Sequence, residues 1–433
     1  MLTAFARAFR TPDLRKKILF TLFIILVFRI GSILPTPNVN VGALKETADA
    51  AKKGASGQVF QLVDLFSGGA LLKLSVFALG IMPYITASII LQLLTVVIPR
   101  LEALKKEGQA GTTKITQYTR YLTVALAILQ ATGIVAMAST GNLFGNSAGA
   151  DDVLYEKGVF PIVTMVIVMV AGTSVIMWLG ELITDRGVGN GMSILIFTQV
   201  VAVFPSQFWG IYKTKGSFIF AIVILVGLAI MAGVVFVEQA QRRIPVQYAK
   251  RMVGRRMYGG TSTYIPLKVN QAGIIPVIFA SSLLYLPVLA SQLWPNNSWV
   301  QKVQPYLQQD NPWHMAVFFG FIIFFTYFYV AITFNPTEVA DNMKKYGGFI
   351  PGIRPGRPTA EYLDYVLTRI TTPGALYLGL VSLIPMVAFA LLDATQDFPF
   401  GGTSILIVVG VGLDTVKQVE SQLQQRNYEG FLR

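Results

Sequence analysis

"FALGIMPYITASIILQLL", residues 77–94, decides the fold. It carries no charged side chain and sits inside a longer apolar run, 74–98, close to the ~20 residues a bilayer-crossing helix requires. Pro83 falls within it. In water that residue would argue against a helix, but membrane helices tolerate proline where neighbouring groups satisfy the freed backbone. The stretch therefore reads as a membrane span, and its neighbours must be read the same way.

Nine further apolar runs of similar length follow that pattern, giving predicted spans at 18–35, 74–98, 118–138, 159–181, 191–210, 217–238, 271–292, 314–333, 373–392 and 402–416. Composition agrees: 53% of the 433 residues are hydrophobic and 13% charged, about half the charge of a soluble chain. The first apolar run follows a basic N-terminus without a small-residue exit, so no cleavable signal is expected. The Lys and Arg residues crowd one set of loops. Only Lys45, Lys52, Lys53, Lys157, Lys213, Lys215 and Lys302 fall on the other side, while Arg29 and Lys73 lie in or beside apolar segments. That asymmetry predicts cytoplasmic termini, because cytoplasmic loops carry the excess of Lys and Arg.

Ten spans divide into five plus five. An odd number per half makes the second half enter from the opposite side, as inverted repeats do. The expected architecture is an all-α polytopic membrane protein with an N-terminal half over 1–206, an external hinge loop at 207–216 ("QFWGIYKTKG") and a C-terminal half over 217–433. Cytoplasmic loops are expected at 239–270 and 334–372. One apolar segment does not fit. "GQVFQLVDLFSGGALLK" (57–73) is too short to span, carries Asp64 and ends in a flexible Ser-Gly-Gly joint. It reads either as an interfacial helix or as a short helix buried in the protein's own cavity.

Several chemistries are excluded. With no cysteine there is no disulfide, thiolate zinc site or cysteine nucleophile. His314 has no second histidine to share a metal and is expected at the membrane interface. "RGVGNGMS" (186–193) lacks a preceding strand and reads as a turn opening the fifth span, not as a dinucleotide loop. Acidic residues fall almost wholly in loops and at span ends, which disfavours ion-coupled transport. No catalytic set and no cofactor are expected.

Two features remain open on the residues alone. Ile81/Ile85, Met192/Ile196 and Ile274/Ile278 repeat an i, i+4 apolar step, which is either ordinary helix packing or the wall of a pore. Between Gln239 and Asn270 lie Arg242, Arg243, Lys250, Arg251, Arg255, Arg256 and Lys268 with no acid. This arm is either a topology determinant or a docking surface, and its glycines at 254, 259 and 260 predict a protruding turn. The net charge of +13 suits anionic lipid headgroups or nucleic acid.

"FSGGAL" (66–71), the opening stretch, "KKEGQAGTTKITQYTRY" (105–121), "GVGNGMSILIF" (187–197), "QRRIPVQYAKRMVGRR" (241–256), "STYIPLKVNQAGIIP" (262–276), "FNPTEVADNMKKYGGFIPGIRPG" (334–356) and "YEGFLR" (428–433) closely resemble the SecY family of bacterial protein-conducting channel subunits. The resemblance covers nearly the whole chain except the external loops. It implies two five-helix halves around an hourglass pore that passes secretory polypeptides across the cytoplasmic membrane and releases hydrophobic segments sideways. It implies SecE and SecG as subunits, and SecA and the translating ribosome (through its RNA) as cytoplasmic partners. Signal peptides and nascent chains are the cargo, and anionic phospholipids the surroundings. It further implies a pore ring of Ile81, Ile85, Met192, Ile196, Ile278 and Ile407, with methionine where the family often has isoleucine. The plug would hold Phe60, Leu62, Val63, Asp64, Leu65, Phe66, Ser67, Gly68 and Gly69. A lateral gate would carry Thr86, Gln130 and Asn270, whose polar groups could bond across the closed seam. Arg242, Arg243, Lys250, Arg251, Arg255, Arg256 and Arg354 would form the docking surface. A secondary transporter, or an insertase or scaffold without a through-pore, is the competing class.

Overall fold

The computed structural model describes residues 9, 11–44, 68–139, 153–248, 251–253, 256–258, 262–293, 306, 311–392 and 402–429. The first helix, α1 (Pro12–Ile33), takes its start from a proline in the first turn, where the missing N–H is no loss. The run expected to be helical from residue 74 is instead a series of tight turns. Leu74 adopts φ 41° and Gly80 φ 56°, both outside the helical region. The segment is pinned to the outer end of α1: Thr36 donates from N and Oγ1 to the Leu74 carbonyl at 3.0 and 2.8 Å, and Val76 N donates to Leu34 O at 2.9 Å. Helix α2 (Met82–Val97) then begins, with Pro83 in its first turn, and is followed, at a 100° bend, by the short α3 (Pro99–Lys106). Helices α4 (Gln109–Ser139) and α5 (Val159–Arg186) complete the first antiparallel set, with α4 packed on α2 and α5, and α5 packed on α1.

The fifth and sixth expected spans are two helical limbs, Gly191–Lys213 and Gly216–Gln239, each long and apolar enough to cross a membrane, which meet at a kink and are labelled together as α6 (Gly191–Gln239). Most of the 207–216 stretch expected to be an external loop is helical, Gly210 included. At Gly216 the backbone turns to φ 81°, ψ 172°, a conformation that suits a residue without Cβ. The second antiparallel set follows: α7 (Ile275–Leu293), α8 (Pro312–Thr333), α10 (Arg357–Leu392) and α11 (Gly402–Glu429), with the short α9 (Pro336–Lys345) between α8 and α10. Among the described residues, counting the two limbs of α6 separately, six helical segments are long and apolar enough to cross a membrane, or seven if the bent α2–α3 pair is one span. Each of the ten expected spans overlaps a helix, the second only from Met82 onward.

The basic arm contains strands that hydropathy did not reveal. β1 (Gln241–Tyr248) pairs antiparallel with β4 (Ser262–Lys268), from Gln241 opposite Lys268 to Gln247 opposite Ser262. β2 (Arg251–Val253) and β3 (Arg256–Tyr258) pair further along the same hairpin. β5 (Gly348–Phe349) adds to the other edge of β1, giving the order β4-β1-β5. Ile244, Val246 and Leu267 from this sheet pack with Met343, Ile350, Leu363 and Val366 into a separate core. The glycines at 254, 259 and 260, expected to form a protruding turn, lie outside the described residues.

The halves meet where α6 lies against α11 and where α7 touches α2 and α4. His314, expected at the membrane interface, lies in the first turn of α8, is 8% exposed and stacks on Phe318, with ring centroids 6.4 Å apart, because the next turn of α8 presents that ring to it.

Candidate pore, gate and docking surfaces

Ile81 precedes α2, and its carbonyl accepts from both Tyr84 N and Ile85 N at 3.1 Å. This closes a turn that sets Ile81 and Ile85 on one face. Asn190 caps the start of α6, its side-chain oxygen accepting from Met192 N and Ser193 N at 3.1 and 3.3 Å, and so sets Met192 and Ile196 one turn apart. Ile407 lies in the first turns of α11. Ile81, Ile85, Met192, Ile196 and Ile407, from three helices and both halves of the chain, fall into one apolar cluster. Ile407 is fully buried and Ile81 nearly so. Ile278 is buried on α7 but is not a member of that cluster; Ile274, one turn earlier, packs against it instead. The i, i+4 step in the sequence already paired these two residues, but it could not say which one meets the others.

Met192 has a local reason. A Cβ on Gly180 of α5 would lie 2.8 Å from the Met192 methyl carbon, so the glycine opens a notch that the methionine fills. An unbranched, flexible thioether can reach such a gap, whereas a β-branched isoleucine is stiff at its first torsion.

Of the expected plug, Phe60, Leu62, Val63, Asp64, Leu65, Phe66 and Ser67 lie outside the described residues. Gly68 and Gly69 are described, with φ 66° and 83°. Arg29 of α1 donates from Nη1 to the Gly68 carbonyl at 3.1 Å, and a Cβ at Gly68 would lie 3.1 Å from Cα of Gln199 on α6. Gln199 is wholly buried and neither amide atom has a hydrogen-bond partner. Arg29 stood in the sequence only as a cation inside an apolar run, and Gln199 not at all.

Thr86, Gln130 and Asn270 are all buried, at 8%, 8% and 3% exposure. They sit on α2, on α4 and just before α7, the elements that meet between the halves. They do not bond to one another. Thr86 Oγ1 donates to the Met82 carbonyl within its own helix at 3.0 Å, the usual fate of a threonine in a helix without a better acceptor. Asn270 Nδ2 donates to Glu238 Oε1 at 2.6 Å and to the Gly273 carbonyl at 3.2 Å. The bond across the seam that the sequence suggested is thus replaced by a bond to the end of α6, and Glu238 is a residue the sequence reading missed.

On the arm, Arg242 and Arg243 are exposed on β1, and Arg243 stacks over Tyr264 of β4 at 4.8 Å. Arg354 is exposed in the loop after β5, on the side where β5 joins the sheet. Arg251 and Arg256 are paired in backbone register with Tyr258 and Val253. Lys250 and Arg255 lie outside the described residues. The strands hold Arg242, Arg243, Arg251 and Arg256 on one hairpin, and β5, which pairs with β1, leads into the loop carrying Arg354. One internal pair lies away from it: Arg120 of α4 holds Glu181 of α5 through two bonds, 2.9 Å from Nε and 2.8 Å from Nη2. Among the described residues no group of three His, Cys, Asp or Glu side chains could hold a metal ion.

Comparison with known proteins places this geometry. The SecY family model matches residues 75–416. The protein translocase subunit SecY of Streptomyces scabiei is 67% identical over 439 residues, covering all of both chains. Among solved structures, one described as the structure of a protein conducting channel matches with a TM-score of 0.62 and 17% identity, over 94% of this chain and 91% of the other. Sec61 in the canine ribosome-channel complex from the endoplasmic reticulum matches with a TM-score of 0.60 and 16% identity, over 94% and 91%.

Proposed function

The chain belongs to the SecY family, and from that premise we propose how its own residues conduct a polypeptide. It is the subunit of a protein-conducting channel and crosses a membrane several times. A conduit for every sequence cannot hold its cargo through specific hydrogen bonds, or it would stall on some of them. Ile81, Ile85, Met192, Ile196 and Ile407, with Ile274 or Ile278 from α7, form an apolar constriction that touches everything weakly. It offers the hydration shells of ions nothing in exchange, as hydrophobic constrictions in channels do. The observation that carries this reading is the gathering of these side chains from three helices and both halves into one cluster.

The segment 57–73 closes the constriction from outside, tethered at Gly68 by Arg29. The seam between α2 and α4 on one side and α7 and α8 on the other opens toward lipid. Thr86, Gln130 and Asn270 tune how easily it does so. The halves are 1–206 and 217–433, hinged at Gly216. The chain lies in the cytoplasmic membrane with both termini and the β-arm inside, where anionic phospholipids favour its basic loops. SecE and SecG complete the complex, and signal peptides engage the seam. The chain itself is not an enzyme; SecA and the translating ribosome drive the cargo. Arg242, Arg243, Lys250, Arg251, Arg255, Arg256 and Arg354 dock both partners. For the ribosome, this is supported by the fold shared with a channel held in a canine ribosome complex.

Reconstitution of the chain with SecE in liposomes, supplied with SecA, ATP and an unfolded secretory precursor, tests the proposal. Precursor protected from added protease inside the vesicles supports a polypeptide conduit. Uptake of a small solute without protein translocation, where a control channel works, would overturn it in favour of a transporter.

A further inference from the structure

The segment 268–270 is met by three helices in turn. Glu238, in the last turn of α6, accepts from the Asn270 amide at 2.6 Å. Gly374 of α10 lies so close to the Val269 carbonyl that a Cβ there would overlap it, and that Cβ would also sit 3.6 Å from Cα of Asn270. Lys268, two residues before, reaches Asp414 of α11 at 3.5 Å. The backbone on the cytoplasmic side is equally fixed. Val269 N donates to the Ala240 carbonyl at 3.0 Å, which extends the β1–β4 ladder by one more pair beyond Gln241 and Lys268. Glu238 and Asn270 therefore form the membrane-side end of the arm's hairpin. Five residues after Asn270 the chain enters α7, the helix that faces α2 and α4.

Both N–H groups of the Asn270 amide are engaged, by Glu238 and by the Gly273 carbonyl, while its buried Oδ1 has no partner. That orientation is imposed by the carboxylate. An amide free to turn could satisfy its oxygen elsewhere, and an unpaired buried acceptor is unfavourable. A carboxylate accepting from an amide makes a short, charge-assisted bond, about twice as strong as a neutral one.

We propose that Glu238 is a positioning residue for the lateral gate: its carboxylate clamps Asn270 at the root of α7 and joins the docking arm to the gate helix. This rests on the gate reading given above and deepens it. A partner that bends the hairpin moves β4 and Val269 directly. The Glu238–Asn270 bond is the link that such movement stretches, and its release turns the Asn270 amide and frees the start of α7. Glu238 touches no cargo and acts through Asn270 alone.

The test uses the complex reconstituted with its subunits and SecA, and compares translocation of a precursor with an intact signal sequence to one with a defective signal. E238A removes the clamp and should raise the defective-to-intact ratio about tenfold, equivalent to ~1.4 kcal/mol of closed-gate preference. N270D opposes two carboxylates and should do the same. The exchange E238Q/N270D rebuilds the bond to residue 238 with donor and acceptor reversed, though without the N–H that Asn270 gives the Gly273 carbonyl, and should recover most of the tenfold change. A merely structural role predicts a different pattern: E238A and N270D would lower both precursors equally, and the exchange would not rescue. Either result overturns the proposal. If E238A is too poorly expressed to assay, N270D and the exchange decide alone. N270A separates the two levels of the argument. Altered discrimination in N270A with none in E238A sinks the clamp and keeps the gate, while no change in N270A sinks the gate reading itself.

Discussion

Replacing Ile81 and Ile407 together with asparagine separates a constriction from a packed core. The two residues are 1% and 0% exposed and share one cluster, so the energetic stakes can be worked out. Fully burying an isoleucine contributes roughly 1.5–3 kcal/mol, and a buried amide left without a partner costs about 1–3 kcal/mol. In a dry core each substitution would therefore remove about 3–6 kcal/mol. Two such losses would consume most of the 5–15 kcal/mol that typically separates folded from unfolded. In a constriction the asparagines face the water of the two funnels, which supplies partners for their amides, and the second penalty disappears. The expected outcome is a complex purified in near-normal yield, its thermal midpoint lowered only modestly, with raised resting ion conductance across a planar bilayer. It should also accept defective signal sequences more readily. Poor yield with no added conductance in the surviving protein would refute the reasoning and return these isoleucines to ordinary packing.

The remaining predictions concern the parts around that constriction. If the proposed plug closes the pore, deleting residues 60–67, short of Gly68 and the buried Ala70, should raise resting conductance while leaving expression and SecE binding intact; co-purification and bilayer recording check it. Charge-neutral substitution of Arg242, Arg243, Arg255 and Arg256 should weaken ribosome binding and flatten its salt dependence, because each lost phosphate contact removes nearly one unit from the log–log slope; membrane insertion should stay normal, and unchanged binding would leave only a topological role for the arm. G374A should displace the Val269–Asn270 segment, costing about 1–3 kcal/mol as overpacked sites do, visible as a lower melting midpoint. E181Q should weaken the paired bonds from Arg120 by about 1 kcal/mol, a modest value because the pair is partly solvated; a larger loss measured by denaturation would show that the pair is drier than its exposure implies.

The membrane helices were legible in the sequence because their signal is local: a run of apolar residues means the same thing whatever lies beside it. The expected helix from residue 74 failed where local hydropathy stayed high but backbone conformation did not. Leu74 in the left-handed region and the hydrogen bonds from Thr36 come from a partner segment far along the chain. The external stretch behaved in the opposite sense. Aromatic and polar residues with Gly210 among them looked like a loop, yet "QFWGIYKT" stays helical and the chain turns only at Gly216. The strands of the arm were masked by their charge. Ile244, Val246 and Leu267 are spaced to bury one face, but the arginines between them drew the reading toward docking instead of sheet.

The site shows the same division more sharply. Residues that work by being apolar on one helical face, such as Ile81 and Ile85, advertise themselves by their spacing. Residues that work in pairs from distant segments do not. Glu238 ends a span, where an acid is unremarkable, and Asn270 opens the next, where an amide is equally so; only the antiparallel hairpin between them brings the two to 2.6 Å. The pairing is nonetheless a consequence of the sequence. Once Gln241 is set opposite Lys268, the same register carries Ala240 to Val269, which are joined by a backbone bond, and Gln239 to Asn270; Glu238, one residue further back at the end of α6, is the side chain that reaches the amide. Two polar groups so placed either bond or pay for desolvation separately, and bonding is the cheaper outcome. A one-residue slip of β1 against β4 would turn alternate side chains to the opposite face and carry the Glu238 carboxylate away from Asn270.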